Sequence, residues 1–227
     1  MARNDSWKPA EEPAGVSDRE PRWPAFIAIL AAAGVYSALP EALTLGPRWL
    51  FPTVVLAFWI PSIVFYRAGK HRLNTAFGFA IDGLLTFQLI VSVILLIEAL
   101  PTNKETPQQL LRSAASLWIT NILVFALWYW RLDAGGPYQR EKIPGHSQGA
   151  FLFPQMTMSS EAQREAGQQN WSPNFIDYLF LAFNTSTAFS PTDVPALARW
   201  AKILMMLQSL LSLLIIALLA ARAVNIL

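Results

Sequence analysis

Five hydroxyls and a carboxylate crowd one short stretch near the C-terminus: Thr185, Ser186, Thr187, Ser190 and Thr192, with Asp193 closing the run. The chemistry such groups offer is coordination, in which hydroxyl and carbonyl oxygens stand in for water around a solute. The residues before them are largely apolar from Phe175 to Phe183. Ser172 and Pro173 open this part as a helix start, because Ser accepts an orphan N–H and Pro has none to lose. Ser190-Pro191 stops any helix that reaches it. The stretch is too short to cross a bilayer, and a long apolar helix follows at once. A half-length helix that ends in hydroxyls between two spanning helices is the sequence form of a re-entrant pore loop. The competing reading is a buried half-helix whose hydroxyls bond their own backbone.

Other polar residues stand where polarity is costly. Asp82 lies inside an apolar run; it either faces the protein interior or water, or snorkels toward the interface beside Arg72 and Asn74. Gln208, Ser209 and Ser212 share one broad face of the last helix, and would line an aqueous cavity or let a neighbouring helix pack closely. Asn121 reads as a helix-to-helix hydrogen bond. Arg67-Ala68-Gly69-Lys70-His71-Arg72 is the densest basic run, an anchor beside anionic headgroups or a specific lipid site. His146 has no second ligand at metal spacing and the chain has no cysteine, so no metal site is expected. Nucleophile-base pairs and phosphate-binding glycine loops are missing from the pattern, which argues against an enzyme and against a cofactor.

The elements that position these residues follow from composition. Of 227 residues, 54% are hydrophobic and 14% charged, whereas about a quarter of an average soluble domain is charged. The bilayer is therefore the expected solvent, and nine Trp, fourteen Phe and five Tyr supply interfacial belts. A net charge of +2 is too small to argue for nucleic acid. Apolar runs predict five spans, at about 24–39 (extending toward 45), 49–66, 76–100, 113–130 and 197–224. Pro52 and Pro61 predict a kink in the second. The chain thus divides into a disordered polar tail (1–23), a four-helix transmembrane region (24–131), a polar connecting loop (132–171) and the half-helix with the last span (172–227). Within the connecting loop, Phe151 to Met156 is an apolar island that lies on the membrane surface or packs on the half-helix. The fold class is an all-α, multi-pass integral membrane protein with a re-entrant half-helix before its last span.

The order of residues in the last quarter resembles the pore region of the potassium-channel-like superfamily. That pattern is an acidic residue, an aromatic-rich half-helix, Thr-x-Thr, a Gly-aromatic-Gly filter, an Asp and an inner helix. Asp177, Tyr178, Phe180 and Phe183 resemble the half-helix, and Thr185 and Thr187 its closing threonines. Ala188, Phe189 and Ser190 stand where the resemblance puts Gly-aromatic-Gly, and Asp193 follows, displaced by Pro191 and Thr192. Leu197-Ala198-Arg199 resembles the start of the inner helix. A ladder of inward carbonyls needs backbone angles that Gly reaches freely and that Ala and Ser reach at a cost, so potassium selectivity does not carry over. The resemblance implies a homotetramer in the cell membrane, surrounded by lipid, that passes a cation or small solute by passive permeation. Thr185, Ser186, Thr187, Ala188, Phe189, Ser190 and Thr192 would line its constriction, and Asp193 would form a ring of negative charge. The alternative is a non-conducting membrane protein, structural or regulatory, that keeps the architecture.

Orientation divides the two lines of reasoning. Five spans put the half-helix on the N-terminal side, together with Arg67, Lys70, Arg72, Arg131, Arg140 and Lys142, so the positive-inside rule places it in the cytoplasm. Channels of the resembled superfamily carry the loop outside.

Overall fold

The computed structural model describes residues 20–99, 106–142, 149–169, 171–187 and 193–224. Apolar runs become helices because a helix satisfies its own backbone wherever water is scarce. The elements are α1 (Trp23–Ser37), α2 (Leu50–Arg67), α3 (His71–Ala99), α4 (Pro107–Leu132), the short α5 (Pro137–Arg140) and α6 (Ser160–Glu165), α7 (Phe175–Thr187) and α8 (Arg199–Val224). Among the described residues there is no strand, only an isolated antiparallel bridge between Phe151 and Ala196.

Four stretches are long and apolar enough to cross a membrane: Leu50–Arg67, His71–Ala99, Gln108–Arg140, which continues from α4 through α5, and Arg199–Ala221. The fifth expected span, α1, has 15 helical residues, which rise about 22 Å against a hydrocarbon thickness of about 30 Å. Its chain continues into a 3-10 turn over Glu41–Leu43, of which Leu43 is buried while Glu41 and Ala42 are exposed. There the Ser92 hydroxyl donates to the Leu43 carbonyl at 2.8 Å, and the Tyr36 hydroxyl to that of Leu45 at 3.3 Å.

α4 is the centre of the bundle. It packs against α1, α3, α7 and α8, while α2 lies outside against α3 and α1. Thr106 and Gln109 start α4 with a reciprocal capping box, with Pro107 in the first turn. α1 meets the core with Ala25, Ala28, Ala32 and Ala33, a spacing that puts small residues on one face and lets the helices approach closely. α2 runs as one helix through Pro61 and buries only Val55 and Ser62 within this chain. α4 is mostly buried and α8 mostly exposed.

Two expectations about helix starts change. α3 begins at His71, so Asp82 sits about three turns in, deeper than a start near Ala76 implies. α7 is capped by Asn174 instead of Ser172. The Asn174 side-chain oxygen accepts the Ile176 N–H at 2.8 Å, and the Asp177 carboxylate accepts the Asn174 N–H at 2.8 Å. An acidic residue three positions after an Asn satisfies two orphan donors at once, an arrangement the Ser172-Pro173 pair does not offer.

Candidate functional site

The half-helix α7 is held at both ends by buried polar groups. At its start, Asp133 ends α4 with a fully buried carboxylate. One oxygen accepts the Ala150 N–H at 2.5 Å and the other the Tyr178 hydroxyl at 2.6 Å. Arg140 lies beside it, 1% exposed, and closes α4 by donating to the carbonyls of Trp130 (2.7 Å) and Asp133 (2.9 Å). The Trp130 carbonyl belongs to the last turn of α4, where carbonyls lack intrahelical partners and a cation is favourable, and that of Asp133 also accepts the Gly136 N–H at 2.8 Å. The other arm of Arg140 pairs with Glu20 at 3.0 Å, and Glu20 also accepts from the Trp130 indole N–H. Burial pushes the Glu20 carboxyl up from its ordinary value, against the pull of Arg140 and Trp130. Glu20 and Arg22 are thus packed residues of the stretch expected to be solvated tail.

Aromatic rings fill the same end. Phe151, fully buried, meets Tyr129 (5.2 Å between centroids), Tyr178 (6.3 Å) and Trp200 (5.9 Å), so the apolar island packs on α7 and α8. Phe175 meets Trp130 edge-on at 5.9 Å. Backbone bonds from Leu152 to Pro195 and from Leu197 to Ala150 tie the segment before α8 to this loop.

At the other end of α7, Gln208 of α8 is wholly buried and joins three helices. Its amide nitrogen donates to the Ala182 carbonyl (2.7 Å) and the Ser186 hydroxyl (2.8 Å), while its oxygen accepts from the Tyr129 hydroxyl (2.5 Å). Asn121 donates to Ser212 at 2.7 Å across α4 and α8, the helix-to-helix bond its position predicts. In hydrocarbon, where side chains have few alternatives, such bonds fix which helices meet.

The predicted lining residues separate in this frame. Thr185 is buried and donates to the Leu181 carbonyl at 2.8 Å; Ser186 is buried against Gln208. Thr187 is exposed, and its hydroxyl donates to the Phe183 carbonyl at 2.9 Å. Asp193 is exposed. Gln208 and Ser212 face the interior of this chain, whereas Ser209 is exposed with its hydroxyl 3.3 Å from the Thr185 carbonyl. Ala188, Phe189, Ser190 and Thr192 lie outside the described residues, as does His146. On the exposed side of α7, Ile176, Phe180, Phe183 and Thr187 follow one another at helical spacing.

Asp82 has its own partner. Arg131 grips it through Nε (2.5 Å) and Nη2 (3.3 Å), with Asp82 fully buried and Arg131 9% exposed. Neither Arg72 nor Asn74 takes this role; Asn74 donates instead to Ser62. Gly78, one turn before Asp82, clears the space, because a Cβ there would sit 1.9 Å from Arg131 Nη1.

Sequence reasoning missed Asp133, Arg140 and the pairing role of Arg131. Gly78 and Asp82 at i, i+4 are the signal that could have found the last: a gap and a charge on one face of an apolar helix need a long cation from elsewhere. No family model matches the chain, and no curated protein or solved structure matches it either.

Proposed function

We propose that the chain is a pore-loop-type membrane channel, a homo-oligomer that passes a cation or small solute passively and without potassium-type selectivity. In this reading α7 enters the membrane halfway and the chain returns to the side it came from. The observation that carries it is the pair of contacts along α7. Phe175 touches Trp130 near the end of α4, and Phe183 touches Trp118 (6.2 Å) near its middle. Thirteen residues rise about 20 Å, short of the bilayer. Ala196 and Trp200 are back beside Phe151, which also touches Tyr129 and Tyr178. The eight residues from 188 to 195 can reach about 26 Å when extended, enough for the return. α1, continued by the 3-10 turn that buries Leu43, would complete a fifth crossing. α4, α7 and α8 then form the outer-helix, half-helix and inner-helix module of the resemblance. The exposed side of α7 and α8 is the surface a symmetry mate would cover, and four copies follow from the resemblance.

A second reading, the non-conducting membrane protein, has its own observation. Thr185 and Thr187 bond their own helix, and Gln208 and Ser212 are consumed within the protomer. Liposome flux separates the two. Thr187→Ala and Asp193→Asn change exposed groups; the first also removes the bond from the Thr187 hydroxyl to the Phe183 carbonyl, and both leave the bonds of Gln208 and Ser212 in place. A channel gives flux above empty liposomes that these substitutions alter; silent, correctly assembled oligomers would establish the second reading.

A further inference from the structure

At the end of the bundle where α1 begins and α2 meets α3, a cavity of about 430 Å³ opens between the helices, within the ~300–1,000 Å³ range of small-ligand sites. Its wall is apolar toward the core, with Phe26 and Ile29, and basic toward the rim, with Arg22 and Arg72. No carboxylate lines it among the described residues.

The unpartnered buried polar atoms of its lining residues are of one kind. Three of the seven buried side-chain nitrogens and oxygens without a hydrogen-bond partner among the described residues belong to this wall: Arg22 Nε, Trp59 Nε1 and His71 Nδ1. All three can donate, Nδ1 in one neutral tautomer and in the cation. Unpaired buried donors are rare in native proteins, and three on one cavity describe the complement of an acceptor. Arg22 is 9% exposed and held in place, by Glu141 at 3.2 Å and by the Tyr66 ring at 4.3 Å from its guanidinium carbon. His71 is fixed by stacking on Tyr138 at 3.6 Å. Glu141 balances Arg22 and Asp82 balances Arg131, whereas the exposed Arg72 has no carboxylate partner among the described residues.

We propose that this cavity binds a phosphate-type anion, with Arg22 Nε, Trp59 Nε1 and His71 Nδ1 donating to its oxygens and Arg72 closing over it. The chemistry fits the phosphodiester of an anionic lipid, whose acyl chain the Phe26 and Ile29 wall would meet, and also a free phosphate. Basic pockets between membrane helices hold headgroups in this manner. Binding here is separate from flux and does not depend on the pore reading.

The test compares the full chain with Arg72→Gln and with His71→Phe, which keeps the ring stacked on Tyr138 and removes the donor. Arg48→Gln, at the opposite end of the bundle, is the control. Each is purified from vesicles of equal parts phosphatidylcholine and phosphatidylglycerol, and the retained lipid is measured by native mass spectrometry. Delipidated samples are then melted with and without inorganic phosphate. Wild type and Arg48→Gln should retain phosphatidylglycerol over phosphatidylcholine, and each cavity variant should weaken that retention about tenfold, the loss of one charge-assisted bond. If inorganic phosphate instead stabilises wild type and not the variants, the anion is free phosphate and the site stands. Equal retention of both lipids together with no phosphate effect, or cavity variants that bind like wild type, would overturn the assignment.

Discussion

Asp82→Ala should be among the most damaging single substitutions in α3, and its rescue by a second change is the sharper expectation. The carboxylate is fully buried and Arg131 is 9% exposed, so removing one partner strands a cation in an apolar interior. Breaking a buried pair in that way costs about 3–5 kcal/mol, whereas replacing both partners with apolar residues of similar volume is neutral or stabilising by ~1–4 kcal/mol. For a chain of this size about 1 kcal/mol corresponds to roughly 2–4 °C, so Asp82→Ala should lower the melting temperature in detergent by about 6–20 °C. Asp82→Leu combined with Arg131→Met should recover wild-type melting. Gly78→Ala attacks the same pair from outside, since its methyl would fall 1.9 Å from Arg131 Nη1 and the guanidinium must move. Melting followed by size-exclusion fluorescence reads all three, with liposome flux measured on the rescued double variant. An Asp82→Ala chain that melts within ~1 °C of wild type would refute the pairing energetics. A double variant with wild-type melting and lost flux would show that Asp82 also acts on the permeant.

Two more expectations concern the ends of α7. Gln208→Leu removes three bonds, those to Ala182, Ser186 and Tyr129, and at ~0.6 kcal/mol each in a membrane should cost about 2 kcal/mol of stability; unchanged melting with reduced flux would mean that Gln208 faces a wet lumen instead. Glu20, raised by burial, binds its proton more tightly folded than unfolded. Its contribution is therefore fully present below the ordinary carboxylate range and is lost as pH rises through the raised folded value. Glu20→Gln should flatten that part of the melting-versus-pH curve, and an identical slope in wild type would count against the burial effect.

Much of the bundle was legible because hydrocarbon imposes one rule on every long apolar run. α2, α3, α4 and α8 follow it. α1 departs because 15 residues of helix do not span alone; the chain after it is held by Ser92 on the Leu43 carbonyl and by Tyr36 on that of Leu45, partners no local pattern announces. The cap of α7 shifted from Ser172 to Asn174 because two reciprocal bonds outcompete one. Asn121 was readable as a helix-to-helix bond, since an amide in an apolar run has little else to do. Long-range charge pairs were less readable. Arg131 follows Trp128, Tyr129 and Trp130 and resembles an interfacial anchor, and nothing near it in sequence points 49 positions back to Asp82. Asp133 sits in a turn, where carboxylates are common, and only the fold brings Tyr178 and Ala150 onto its two oxygens.

The hydroxyl run divides the two functional readings less than its composition implies, because a satisfied hydroxyl tolerates lipid as well as water. Thr187 and Ser209 are exposed, yet both already donate to backbone carbonyls. The more demanding groups are the carbonyls at the end of α7, since the last four of any helix lack intrahelical partners. Ser209 meets that of Thr185, which is one of them. If the half-helix ends at mid-depth as proposed, hydrocarbon offers the remaining ones nothing, and each left unmet costs several kcal/mol. Water along a shared axis, or the backbone of the following turn, must supply the difference. A pore supplies water at that depth without further cost, whereas a non-conducting protein has to close the turn on itself, with Ala188 and Ser190 where glycine would make the closure easy.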